Sequence, residues 1–87
     1  MHGRQLVAWN LRRVRVLKGL SQEKLAVDAE VDRTYVSRLE RGLENPTIGV
    51  LDRLAAALEV APAEFLIKPS AGERRPKPLK GGRKGRI

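Results

Sequence analysis

Apolar residues recur along this chain at three- and four-residue spacings, broken at regular intervals by residues that start or stop helices. Val7, Leu11, Val14 and Lys18 share one face of a first helix expected from about Arg4 to Lys18, with Gly19 as its C-terminal stop. Leu25, Ala26 and Ala29 form the apolar strip of a short second helix of about two turns, and Ser21 stands at its start, where a hydroxyl can accept a bond from a free backbone N–H. After the turn Ala29-Glu30-Val31, Asp32 supplies another N-cap; Val36 and Leu39, flanked by Tyr35, then face inward until Gly42 ends the third helix. Thr47 caps a fourth helix whose Ile48, Leu51, Leu54, Ala55 and Leu58 keep helical spacing. Gly49 inside it costs about 1 kcal/mol relative to Ala and points to close packing there. A short fifth helix is expected from Pro62, burying Phe65 and Leu66. The pattern predicts an all-α, compact five-helix domain over residues 1–67. A core on so short a chain covers only about 60% of the unfolded surface, so association would help it. Trp9, Phe65, Leu66 and Ile67 lie outside the second and third helices and have two fates open, core packing or a partner surface.

The third helix leaves a polar side. At about 100° per residue, Thr34, Ser37, Arg38 and Arg41 form one stripe opposite Val36 and Leu39, with Arg33 at the helix entrance. By composition alone such a stripe is a solvated helix face. Its position argues otherwise, because the second helix of a tight helix-turn-helix is the one that enters the major groove. Arginine offers a rigid fork of donors matching guanine O6 and N7 or a pair of phosphate oxygens, and Ser and Thr hydroxyls serve phosphates or base edges.

Four motifs occur in order: Leu11-Arg12-Arg13-Val14-Arg15, Gly19-Leu20-Ser21-Gln22-Glu23-Lys24-Leu25-Ala26, Arg38-Leu39-Glu40-Arg41-Gly42, and Asn45-Pro46-Thr47 leading into Leu51, Leu54, Ala55 and Leu58. Together they make residues Leu11 to Leu66, about two-thirds of the chain, resemble the phage-repressor and Cro type of helix-turn-helix domain, the xenobiotic-response-element regulators. Asp32-Arg33-Thr34-Tyr35 also resembles the recognition-helix entrance of restriction-modification controller proteins. The resemblance implies a repressor-like fold and a transcription regulator that binds double-stranded DNA, with Gln22 on a phosphate and Arg33, Thr34 and Arg38 in base-reading positions. It places Arg41 and the loop toward Asn45 near phosphates, leaves Tyr35 between backbone contact and the core edge, and implies a structural ion pair between Arg15 and Glu40. One departure stands out: Glu30 occupies a turn position where the family usually has Gly. A left-handed backbone there costs a non-glycine residue roughly 1 kcal/mol or more and would strain or reshape the turn.

The net charge of +8 is unevenly placed. Residues 1–67 hold 10 basic and 9 acidic residues, a net of +1, whereas residues 68–87 hold 8 basic and 1 acidic, a net of +7. Affinity of the folded part for DNA must therefore come from where its arginines sit. Residues 68–87, with three prolines, four glycines and no apolar period, read as a disordered basic tail. Arg83-Lys84-Gly85-Arg86 carries a faint likeness to minor-groove arms, beside the plainer reading of a phosphate-binding or solubilising tail.

The chain has no cysteine, which removes disulfides and thiolate metal sites and fits a reducing cytoplasm. Met1 to Asn10 has no apolar signal-peptide core, and no apolar run has membrane-spanning length, so a soluble protein is expected. The single histidine, His2, has no acidic or thiol cluster beside it, and no nucleophile has a histidine partner. No enzyme activity, metal or cofactor is expected. The leading expectation is a sequence-specific DNA-binding regulator of transcription acting as a homodimer, since a two-fold pair of recognition helices reads a palindrome. An antitoxin-like regulator with a protein partner, and a protein-binding adaptor on the same fold, are the alternatives.

Overall fold

The computed structural model describes residues 1–69, and these form four α-helices and a closing 3-10 helix. They are α1 (Gly3–Leu17), α2 (Gln22–Ala29), α3 (Arg33–Glu40), α4 (Ile48–Leu58) and the 3-10 helix Pro62–Leu66. The expected tail lies outside the described residues, apart from Lys68 and Pro69.

Capping sets where the helices begin. Ser21 Oγ accepts the Lys24 N–H at 2.9 Å, Asp32 Oδ2 the Thr34 N–H at 2.8 Å, and Thr47 Oγ1 the Val50 N–H at 3.1 Å. Each cap is worth about 1 kcal/mol, because it satisfies a backbone donor that the helix itself cannot.

The four α-helices also stop in one way. After each, a left-handed residue turns the chain, and the next N–H reaches back five residues: Leu20 to Arg15, Val31 to Ala26, Leu43 to Arg38 and Val60 to Ala55. Gly19 and Gly42 hold two of these turns, at φ 74° and 75°. Glu30 and Glu59 hold the others, at φ 61° and 60°. The α2–α3 turn thus keeps the left-handed form despite lacking glycine, and Glu30 carries the strain. Arg53, on α4, helps to hold it there, donating from Nε to the Ala29 carbonyl and from Nη2 to the Glu30 carbonyl, both at 3.2 Å.

Every element contributes to one core. Leu11, Leu25, Val36, Leu39, Leu54, Leu58 and Phe65 are almost completely buried, and Val7, Val14, Ala26, Ala29, Leu51 and Ala55 surround them. Helix α1 packs on α3 and on the 3-10 helix, while α2 packs on α3 and α4. Phe65 and Trp9 are core residues, which removes both from any partner surface. Leu66 does not join them as expected: in a 3-10 helix neighbours stand about 120° apart, so only Phe65 of the two can face inward. Ile48 is likewise exposed, because it is the first residue of α4 and projects past the edge of the core. Gly49 meets nothing closer than Thr47 Oγ1 at 3.8 Å, so close packing does not explain its lack of a side chain.

Asn10, a buried polar residue within α1, ties the C-terminal segment down. Its Nδ2 donates to the carbonyls of Leu6, Phe65 and Ile67 at 3.0, 3.1 and 2.8 Å. Arg13 braces the same junction, with Nε on Asn10 Oδ1 and Nη2 on Glu64 Oε1.

Candidate nucleic-acid interface

Helix α3 is two-sided. Val36 and Leu39 are fully buried and Glu40 is turned inward with them, while Arg33, Thr34 and Arg38 are exposed and Ser37 is half-buried. Arg41 caps the helix and is exposed, as is Asn45 in the loop beyond. The stripe expected at helical spacing is therefore on the surface. Arg33 and Tyr35 flank Thr34, each about 100° around the helix and on opposite sides. Tyr35 is half-buried against the core edge, so packing accounts for much of its ring. Burial, and then the Glu44 carboxylate, push its phenol above the ordinary tyrosine value, with Arg53 acting in the opposite direction.

The inner side of α3 is anchored by charge. Arg15 Nε and Nη2 donate to Glu40 Oε2 and Oε1 at 2.5 and 3.0 Å, a bidentate pair. Arg15 Nη1 also donates to the Leu20 carbonyl at 2.7 Å. The Arg15 side chain is 11% exposed and that of Glu40 only 1%. Gln22, at the start of α2, donates from Nε2 to Glu40 Oε1 at 3.1 Å. One network thus joins α1, α2 and α3 and fixes the angle between the two helices of the motif. Gln22 is half-buried within it, and one of its two amide hydrogens is already committed.

Two residues near the polar stripe escaped sequence reasoning. Glu44 accepts from Arg38 Nε at 2.7 Å, and Arg53 crosses to the α2–α3 turn. Neither shares a helical repeat with its partner: Glu44 lies in a loop six residues after Arg38, and Arg53 is on another helix. Only the tertiary structure brings them together. Among the described residues no cluster of His, Cys, Asp or Glu is arranged to hold a metal ion, and no helix is long and apolar enough to cross a membrane.

Comparison with known proteins places this geometry. A hypothetical transcription factor from Neisseria meningitidis serogroup B is 46% identical over 66 residues, 76% of this chain, which spans 62% of that relative's length. The restriction-modification controller protein C.AhdI from Aeromonas hydrophila is 40% identical in sequence. Its crystal structure superposes with a TM-score of 0.69 over 71% of this chain and 94% of that one. The controller protein C.Esp1396I, crystallised as a tetramer with its natural 35-base-pair operator, is 35% identical, with a TM-score of 0.69 over 75% of this chain and 86% of that one. The helix-turn-helix family model matches residues 11–65, more than half of the chain, and with α2 and α3 in the arrangement described above the protein belongs to that family.

Proposed function

We propose that the protein is a sequence-specific double-stranded DNA-binding regulator of transcription that inserts α3 into the major groove. The observation that carries this reading is the two-sidedness of α3: its inner residues are locked into the core while Arg33, Thr34 and Arg38 stand outward on a rigid helix. A base-reading arginine needs such a platform, because discrimination depends on a fixed approach to the base edge.

In this reading Arg33, Thr34 and Arg38 contact base edges. Gln22, Ser37, Arg41 and Asn45 contact phosphates and set the register, and the Tyr35 hydroxyl reaches the DNA backbone from the core edge. No catalytic step or cofactor enters. Operation as a regulator places the protein with the nucleoid in a cytoplasm. The relatives support the reading, one being a hypothetical transcription factor and another a controller protein crystallised with its operator.

The protein binds as a two-fold homodimer. A domain as short as residues 1–67 gains stability from association, and Leu66 and Ile67, each about half exposed, are apolar residues available for it near the end of the described residues. Selection of bound sequences from a random duplex pool tests both parts. Inverted repeats with half-site centres about one helical turn apart, roughly 34 Å, are expected. Asymmetric sites carrying a single protomer would overturn the dimer, and an unenriched pool would overturn sequence-specific binding altogether.

A further inference from the structure

Glu44 is an acidic residue beside the face that would meet DNA, where a negative charge repels phosphates and lowers affinity. Its contacts account for it. The Glu44 carboxylate takes the Nε–H of Arg38 at 2.7 Å, and the Leu43 carbonyl of the same loop lies 3.4 Å from Arg38 Nη2. The loop that presents both groups is held to the end of α3. The left-handed Gly42 turns the chain, its N–H returns to the Leu39 carbonyl at 3.0 Å, and the Leu43 N–H returns to the Arg38 carbonyl at 2.9 Å. Arg38 is thus gripped through its side chain by the segment that its own carbonyl anchors. After burial, the Glu44 charge is also what raises the nearby Tyr35 phenol.

A guanidinium has five N–H donors in a plane. With Nε on Glu44 and one Nη2 hydrogen toward Leu43, three donors have no partner among the described residues; of these the remaining Nη2 hydrogen and the Nη1 hydrogen beside it form the end-on fork that matches two acceptors on a guanine edge. We propose that Glu44 is a specificity-determining positioning residue, which fixes the Arg38 guanidinium so that its outer fork is presented to a base pair in the major groove. The proposal rests on the reading of α3 as a base-reading helix. Two consequences follow. The rotamer freedom of Arg38 is surrendered before DNA arrives, which reduces the ordering that binding must impose. The fork is also held in one direction, so Arg38 serves as a reader of bases and not as a mobile partner for phosphates.

The opposite possibility is a competing charge, in which Glu44 merely occupies Arg38 until DNA displaces it. The two differ in what happens to base preference. The test measures binding of wild type, Glu44→Ala, Glu44→Gln, Arg38→Ala and the Glu44→Ala/Arg38→Ala double variant to the best selected duplex, to duplexes altered one base pair at a time, and to a scrambled duplex. For Glu44→Ala we expect tighter binding to scrambled DNA and a loss of preference of about fivefold or more at the base pair that Arg38→Ala also relaxes, the lower end of what a bidentate arginine supplies. Glu44→Gln keeps an acceptor oxygen without the charge, so it should retain more of the preference than Glu44→Ala. The double variant should match Arg38→Ala in preference, because Glu44 acts through Arg38.

The proposal is overturned if Glu44→Ala tightens binding to selected and scrambled duplex alike with preference intact, which identifies a competing charge. It is also overturned if preference falls uniformly across the site. If Arg38→Ala itself leaves every preference unchanged, the reading of α3 has failed, an outcome visible without any Glu44 variant. The pair is surface-exposed, with Arg38 and Glu44 side chains 44% and 31% accessible, so the variants should fold and unfold thermally like wild type.

Discussion

Replacing Arg15 by Ala should be among the most damaging single changes on this chain, although it touches no residue of the exposed stripe. An exposed ion pair is worth at most about 1 kcal/mol. Here, however, Glu40 is 1% exposed and Arg15 11%, and the substitution removes two guanidinium bonds to the carboxylate and one to the Leu20 carbonyl. Taking one partner from a buried pair costs about 3–5 kcal/mol, because the remaining charge stays in a low-dielectric site without its counter-ion. A domain of this length has a total stability on the order of 3–10 kcal/mol, so a third or more of it would be lost. At about 4–8 °C per kcal/mol, the melting temperature should fall by roughly 12 °C or more. Circular dichroism with heat and urea measures the loss. A second variant, Arg15→Met with Glu40→Leu, separates its cause: apolar replacement of both partners is often neutral or stabilising, so the double variant should recover most of the stability. If Arg15→Ala unfolds within about 1 kcal/mol of wild type, the pair behaves as a solvated surface pair and the argument from burial fails. If the double variant is as unstable as Arg15→Ala, uncompensated charge is not the cause.

Three further outcomes follow from other parts of the molecule. Glu30→Gly should raise stability by about 0.5–1 kcal/mol by relieving the left-handed turn at φ 61°, and an unchanged or lower melting temperature would show that the turn stores no strain. Asn10→Ala should cost about 1–3 kcal/mol, since the buried Phe65 carbonyl loses its side-chain donor; amide exchange near the 3-10 helix should quicken, and unaltered protection there would contradict the clamp. Removing residues 68–87 takes away a net charge of +7 and should weaken selected and scrambled duplex by similar factors. The slope of log K against log salt should drop by about 0.9 for each phosphate that the tail no longer neutralises, whereas a change in the sequences selected would mean that the tail reads bases.

Much of this fold can be read from local pattern because its helices announce their own ends. Ser21, Asp32 and Thr47 are the residue types that cap helices, and all three do so. The inward stripes of α2 and α3 follow directly from helical period, and residues 11–65 carry a family layout dense enough to identify. The polar stripe of α3 was legible on the same ground, since burial of Val36 and Leu39 fixes where Thr34 and Arg38 must point. Period failed where geometry was not α-helical or where an element ended: the 3-10 helix separates Phe65 from Leu66, and Ile48 overhangs the core. It was silent about polar residues whose partners are distant in sequence. Asn10 sits among apolar neighbours on α1, a signal that a buried amide has a specific bond to make, but its acceptors at Phe65 and Ile67 are more than 50 residues away. Glu44 and Arg53 look like ordinary surface charges until the loop and α4 are folded against α2 and α3.

The central claim is that the arginines of α3 read bases, and the most direct test compares Arg33→Ala and Arg38→Ala on a selected and a scrambled duplex at one salt concentration. Both side chains are exposed on a helix whose inner face is locked, so neither substitution should disturb folding. Each should cost about 1–3 kcal/mol on the selected duplex, much less on the scrambled one, and should relax preference at a single base pair of the half-site. Equal losses on the two duplexes, with every base preference retained, would contradict the claim and assign both arginines to phosphates.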